Sequence, residues 1–322
     1  MTQAGKSANR PAFQSSSLPS FHPTIVALGY CSYDILARVP RVPAFDDVYM
    51  AHVEELVHDG GGPASTALVA AARLGARTGY IGVLDEDMEG RRLRTLFEIE
   101  GVNLSRLRVR PGVGTNVCLI LVEAATARRS ILCAARVDAD VLELDEADRA
   151  YVQGARALHL DGHFLPAAVQ AARWAREAGV KVCFDGNHPR PGLDELLPLV
   201  DWLVVAEPFP AEYTGEADPD RAAQALLALG AEVLVVTLGE RGCEVWTRDA
   251  HQAVPGFEID AVDTTGAGDA FHGGFVYAMC QGWDVVRSAR LANAVAALNC
   301  RALGGRRGLP ALAEVEALIE RG

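Results

Sequence analysis

The chain has 322 residues, half of them hydrophobic, and a formal net charge of −12. That length suits one large α/β domain or two smaller ones with a sizeable core. The acidic balance argues against nucleic acid or an anionic membrane as the main partner, although a local arginine cluster can still receive an anionic substrate. No apolar run approaches the roughly 18 residues that span a bilayer. The seven cysteines are odd in number and scattered, with no C-x-x-C pair. They fit reduced thiols in a cytoplasmic protein better than a disulfide framework or a zinc site.

Residues 1–22 are polar and lack an apolar signal core, so they read as a disordered tail. Thr24 to Leu28 is a β-rich run ending at Gly29, and Asp34 follows. Residues 35–57, with prolines at 40 and 43, read as twisted strands or an edge hairpin. Gly60-Gly61-Gly62-Pro63-Ala64-Ser65-Thr66 opens a helix, with Pro63 in its first turn and Gly75 as its stop. Tyr80 to Leu84 reads as a strand. Asp85-Glu86-Asp87 starts a helix that Gly101 ends, and dipole compensation explains its acidic start. Thr115 to Glu123 and Arg129 to Ala134 read as a second hairpin.

From 156 onward strands alternate with helices. Strands are expected at 156–160, 181–184, 203–206 and 232–237, helices at 141–153, 166–178 and 219–229, and a hairpin across 243–254. Two helices near 268–281 and 284–302 and a short terminal helix complete the chain. Such alternation implies a parallel sheet covered on both faces. The polar residues Asp161, Asp185, Glu207 and Gly239 all follow strands. Ligands of open α/β sheets bind beyond those strand ends, so these turns should converge on one cleft.

The run Asp263-Thr264-Thr265-Gly266-Ala267-Gly268-Asp269-Ala270-Phe271 reads as a tight turn opening a helix. The first N–H groups of a helix have no internal partner, and the dipole there favours negative charge. Such a turn is an anion site. Asp269 would repel a phosphate, so proton chemistry suits it better than phosphate binding. The plainer alternative is a capping Asp on a close-packed helix end.

With Gly61-Gly62-Pro63 through Ala71-Ala72-Arg73-Leu74-Gly75-Ala76 as an N-terminal signature, that run resembles the PfkB, or ribokinase-like, carbohydrate kinases over about residues 24–320. The resemblance implies a three-layer α/β sandwich with a mostly parallel sheet, spanning 23–322, plus a small β lid from segments near 35–58 and 112–136. It implies ATP-dependent phosphorylation of a sugar hydroxyl. Asp269 would be the base, and the N–H groups of Gly266, Ala267 and Gly268 the anion hole. Asp34, Gly61, Gly62 and Thr66 would hold the sugar, and Thr237, Gly239, Gly242 and Asn293 the nucleotide. Asp263 and Thr265 fall where many members bind a monovalent cation such as K⁺. Mg²⁺ is expected with ATP, and a homodimer is implied by pairing of lid edges.

The chain departs from the family pattern where Thr66 replaces an Asn, and where Ala206-Glu207-Pro208-Phe209 replaces Asn-x-x-Glu. Only Glu207 is left there for a Mg²⁺-linked role. These departures, with Gly304-Gly305-Arg306, Gly308 and Pro310, resemble the sulfofructose kinase branch, whose substrate is anionic. Arg38, Arg129 and Arg136 are the candidate cations. Asp185-Gly186-Asn187 suits a ketose or keto-acid sugar kinase equally. A nucleoside kinase and a non-catalytic sugar- or nucleotide-binding homologue stay open as alternatives.

Overall fold

The computed structural model describes residues 22–43, 50, 52–137 and 141–321, so the tail expected over 1–22 lies outside the described residues but for its last position. In chain order the first half runs β1 (Ile25–Leu28), β2 (Ser32–Val39), β3 (Glu55–Gly61), α1 (Pro63–Arg73), β4 (Thr78–Leu84), α2 (Met88–Ile99), β5 (Asn103–Val109), β6 (Val117–Glu123), β7 (Arg129–Ala134) and α3 (Glu146–Gln153). Next come β8 (Ala157–Leu160), α4 (Leu165–Glu177), β9 (Lys181–Gly186), α5 (Leu193–Leu196), β10 (Trp202–Ala206), α6 (Phe209–Thr214), α7 (Pro219–Leu227) and β11 (Val233–Thr237). The chain closes with β12 (Cys243–Thr247), β13 (His251–Val254), α8 (Ala267–Cys280), α9 (Val285–Asn299) and α10 (Leu312–Arg321).

The larger sheet has nine strands in the order β13-β12-β11-β10-β9-β8-β1-β4-β5. All neighbours from β11 to β5 pair in parallel, and β12 and β13 add an antiparallel edge. Its inner parallel strands are buried on both faces, as near-continuous Val/Leu/Ile runs demand. One face packs Ala27, Tyr80 and Val204 against α1, α8 and α9. The other packs Leu28, Leu160 and Val205 against α4, α5 and α7. The strand order reverses at β1, which lies between β8 and β4, and this is where an open sheet leaves a crevice for ligands. No helix of the described residues is long and apolar enough to cross a membrane.

The lid is a separate sheet ordered β3-β2-β6-β7. Both expected hairpins form, and they fuse through a parallel β2–β6 pairing that puts Asp34 beside Cys118. Leu36, Val57, Ile120 and Val122 make its small core with Leu303 from the C-terminal loop.

The strand β5 is not marked in the sequence, because Arg106 and Arg108 interrupt its apolar alternation. They reach Asp148 at the start of α3, with Arg106 Nε 2.7 Å from its Oδ1. The cysteines are not all reduced. Antiparallel register sets Cys118 directly opposite Cys133, with Cα atoms 4.3 Å apart, and the two form a disulfide.

Candidate active site

Three chain segments meet at the carboxyl ends of β1, β8 and β9. Asp161, just beyond β8, is the pin. Its Oδ2 accepts the N–H of Tyr30 at 2.8 Å and that of Ala64 at 3.1 Å. Its Oδ1 accepts the N–H of His163 at 3.0 Å. One carboxylate thereby ties the end of β1, the first turn of α1 and its own loop across the switch point. Burial works to raise its pKa, but the His163 side chain and these N–H donors win and hold it at about 2.

The turn before α8 is shaped by Gly266, whose φ is 72° and whose α-carbon side lies against the backbone of Gly305. A side chain there would be strained and would meet that backbone. Ala267 and Gly268 follow at the start of the helix, and a Cβ on Gly268 would meet nothing within 4 Å, which marks it as the open side of the turn. Asp269 is half-buried in the first turn. Beneath the turn, Asp263 Oδ1 accepts from the Thr265 N–H at 2.8 Å and the Thr265 hydroxyl at 2.7 Å, and its Oδ2 accepts from the Gly304 N–H at 2.9 Å. Asn299 Nδ2 donates to the Thr265 carbonyl at 3.2 Å, while its buried Oδ1 has no donor. The buried Asp263 carboxylate therefore anchors the loop.

On the lid side, Asp34 is buried and accepts the Ser32 hydroxyl at 2.6 Å. Gly61 faces it closely enough that a Cβ would overlap the Asp34 carboxylate. Gly62 caps α1 with a φ of 97°, and a Cβ there would strike the backbone of Tyr30 and Cys31. Thr66 departs from expectation. It is fully buried, and its hydroxyl faces Arg306 Nε at 3.3 Å, which leaves it no surface in the cleft.

On the opposite side, Thr237 ends β11 with its hydroxyl 3.4 Å from the Val205 carbonyl. Gly239 and Gly242 bend the loop with φ of 62° and 93°. Asn293 spends its amide N–H groups on the carbonyls of Val254 and Pro255, at 3.0 and 3.1 Å, so it fastens the β13 end to α9. Glu207 is exposed and ion-paired to Arg241 Nη2 at 2.5 Å. A metal drawn to it would compete with that pair.

The electrostatics separate the carboxylates. Burial first, with Asp59 and Asp269 adding to it, lifts Asp34 to about 7 against the pull of Ser32 and Arg306. Burial and then Asp161 lift Asp185 to about 8. Asp269 is also raised, by burial and then by Asp185, while His272 and Arg129 act the other way. Arg129 comes from the lid: its Nη1 donates to the Thr264 hydroxyl at 2.7 Å, beside the turn. A lid carboxylate, a lid arginine and a helix-start carboxylate thus share one field.

Over residues 22–312 the chain matches the model of the pfkB family carbohydrate kinases. The chain belongs to that family. It is 31% identical over 306 residues to an ATP-dependent ribose-1-phosphate kinase of Halopiger xanaduensis, covering 92% of this chain and 98% of the relative. It is 27% identical over 304 residues to a ribokinase of Haemophilus influenzae, with the same coverage of 92% and 98%. The fold matches Arabidopsis thaliana ribokinase complexed with ribose and ATP, at a TM-score of 0.78, 24% identity, 92% of this chain and 99% of that one.

This pfkB carbohydrate kinase therefore has the ribokinase-like sandwich and lid its motifs imply. Gly61 packs on the Asp34 carboxylate, and Asp269 lies near enough to act on the ionisation of Asp34. Asp161 was visible in the sequence only as one of several strand-end polar residues. His272 gives no functional signal beyond a histidine next to the motif, and Arg306 enters only within the Gly304-Gly305-Arg306 run of the branch resemblance.

Proposed function

We propose that this carbohydrate kinase transfers the γ-phosphoryl group of ATP to a sugar hydroxyl, with Asp269 as the base. The observation that carries the reading is the placement of Asp269 at the open start of α8, in the same field as the lid carboxylate Asp34. Asp34 with the backbone of Gly61 and Gly62 holds sugar hydroxyls and aims one at the γ-phosphorus. Asp269 takes that hydroxyl's proton as the new O–P bond forms and the bond to the β-phosphate oxygen breaks. ADP leaves, and Asp269 returns its proton to solvent. The Gly268 N–H at the open start of the helix, with that of Ala267 once released from the Thr264 carbonyl at 3.3 Å, would meet the charge on the transferring group.

Thr237, Gly239 and Gly242 form the nucleotide-side loop, with Asn293 holding its neighbouring hairpin. Mg²⁺ would come with the nucleotide and would supply charge neutralisation on its phosphates, and Glu207 is the chain's candidate acidic partner for it. Asp263, Thr265 and Asn299 offer K⁺ an oxygen-lined site under the turn.

Arg129 favours a second reading, a sugar bearing an anionic group. Arg38 is committed to Glu54, with Nη1 2.9 Å from the carboxylate, whereas among the described residues Arg129 bonds the Thr264 hydroxyl beside the turn and no carboxylate. A phosphorylated acceptor in the Halopiger relative agrees with this reading. The test is ADP release across neutral ketoses, pentoses and nucleosides, sugar phosphates and sulfosugars. ATP binding without turnover on any acceptor would refute the kinase reading, and turnover of neutral sugars alone would refute the anionic one.

The lid also supports a homodimer. Leu56, Leu119 and Leu132 share its outer face and are 59%, 49% and 60% exposed. Apolar residues on a sheet with free edges suit a second copy, and sedimentation of the full chain decides it.

A further inference from the structure

Arg306 is 3% exposed, a rare state for an arginine. It lies in the loop between α9 and α10, yet its guanidinium reaches the glycine loop that opens α1. Nη2 donates to the Gly61 carbonyl at 3.1 Å and to the Ser65 hydroxyl at 2.8 Å. Nε donates to the Thr66 hydroxyl at 3.3 Å, and the group lies 5.0 Å above the Phe97 ring. The backbone N–H of Arg306 donates to Asp59 Oδ2 at 3.2 Å. Nη1 is buried with no hydrogen-bond partner among the described residues and presses on Gly60, where a Cβ would overlap it.

Every side-chain bond of this cation ends on a neutral oxygen. A buried charge is costly unless it is balanced. The balance comes through space, from Asp34 and Asp59, which oppose each other across β2 and β3. Arg306 also acts on the ionisation of Asp34 itself. The glycine at 60 makes room for the guanidinium, and the glycine at 61 makes room for Asp34. The loop is thus held between a cation on one side and the proposed sugar carboxylate on the other.

We propose that Arg306 is a positioning residue for the sugar site: its planar fork fixes the Gly60–Thr66 loop, and its charge serves Asp34 across that loop. The inference rests on the reading of Asp34 and Gly61 as the sugar-hydroxyl site. Geometry and charge are separable, because lysine keeps the charge but loses the fork, and glutamine keeps donors but loses the charge.

The titratable and polar groups facing Asp34 are Ser32 on its own strand, Asp59 on β3, Asp269 on α8, Tyr30 and Cys31 beyond β1, and Arg306. Of these, Arg306 is the cation. Asp34 accepts hydroxyl protons best when ionised, so loss of the charge raises its pKa and moves the acid limb of kcat/KM for sugar to higher pH. The limb stays in place with lysine.

The experiment compares Arg306→Lys, Arg306→Gln and Asp34→Asn in the full chain. Hydrogen exchange of residues 60–66 in the ligand-free protein needs no sugar; both Arg306 variants should lose protection there while α8 keeps it. With D-ribose and D-fructose as acceptors, sugar KM should rise about tenfold or more, the loss of one or two buried charge-assisted bonds, with ATP KM within about twofold. Unchanged exchange at 60–66 in both variants overturns the proposal. So does an acid limb that is equally placed in the Lys and Gln variants. If Asp34→Asn leaves sugar KM unchanged, the site reading fails; if it raises sugar KM while the Arg306 variants do not, only the present inference fails.

Discussion

Nδ1 of His272 lies 3.3 Å from Oδ2 of Asp185, directly behind the turn that carries Asp269. The same nitrogen is 2.7 Å from the Gly268 carbonyl, and Nε2 is 3.2 Å from the Val204 carbonyl. Every neighbour accepts when Asp185 is ionised, yet a neutral imidazole donates from one nitrogen only. One proton therefore belongs to the pair. It rests on the ring with Asp185 ionised, or on Asp185 with the ring neutral. Burial lowers the pKa of His272 and raises that of Asp185, so the two titrate as a unit. His159, with its ring centre 5.7 Å from that of His272, closes the pocket from β8.

The pH dependence of kcat follows. Asp269 is raised by burial and then by Asp185, so its base form is lost as pH falls through that raised value. The acid limb should then lie nearer neutrality than that of an ordinary carboxylate, about 4. Asp185→Asn removes a group that raises Asp269 and should move the limb to lower pH. His272→Asn removes one that lowers it and should move the limb up. Profiles at saturating ATP and sugar check both signs, and limbs that coincide with the parent's would exclude the pair from tuning the base.

Asp269→Asn should lower kcat by about 10²–10⁴-fold, the usual contribution of a positioned base, with ATP KM unchanged. Stability should hold or rise, because the substitution removes a carboxylate that burial and Asp185 already disfavour. Thermal melting alongside steady-state kinetics tests both halves. A fall in melting temperature together with retained kcat would assign Asp269 to the fold instead.

The glycines of the two turns should respond differently to alanine. Gly61→Ala puts a methyl into the Asp34 carboxylate, at a cost of about 1–3 kcal/mol for an overpacked site, and sugar KM should rise. Gly266→Ala combines a positive φ with the Gly305 backbone and should destabilise the loop. Gly268→Ala meets open space and should fold like the parent. Melting curves for the three variants give the order, and equal losses for Gly268 and Gly61 would contradict the packing described here.

The fold and the reacting turn are legible in the sequence because their signals are local. Asp269 and the glycines that shape its turn are adjacent, and strand–helix alternation carries the sheet. Asp161 and Arg306 are different: they act across 131 and 245 residues, on Tyr30 and Gly61 respectively. No periodicity in the chain reports such pairs. Thr66 looks like a ligand because it follows the glycine loop, and only the packing of Arg306 shows that its hydroxyl is taken. β5 was hidden because its arginines serve Asp148 and break the alternation that marks a strand.

The cysteines mislead for the same reason, since an odd, scattered set conceals a pair made by register alone. Cys118 and Cys133 join β6 to the edge strand β7, and Cys118 neighbours Asp34 on β2. Alkylation of the denatured, unreduced chain should therefore label five of the seven cysteines. A bridge with a sequence separation of 15 stabilises by about 3 kcal/mol in the loop-entropy view. Cys118→Ala with Cys133→Ala, or reduction by a dithiol, should free β7 to exchange amide hydrogens faster. Arg129 is on that strand, so its contact with Thr264 should loosen too. KM for the acceptor should rise while ATP KM stays put, because the loop proposed for the nucleotide follows β11 of the other sheet. Full labelling of all seven cysteines in the unreduced chain would rule the bridge out.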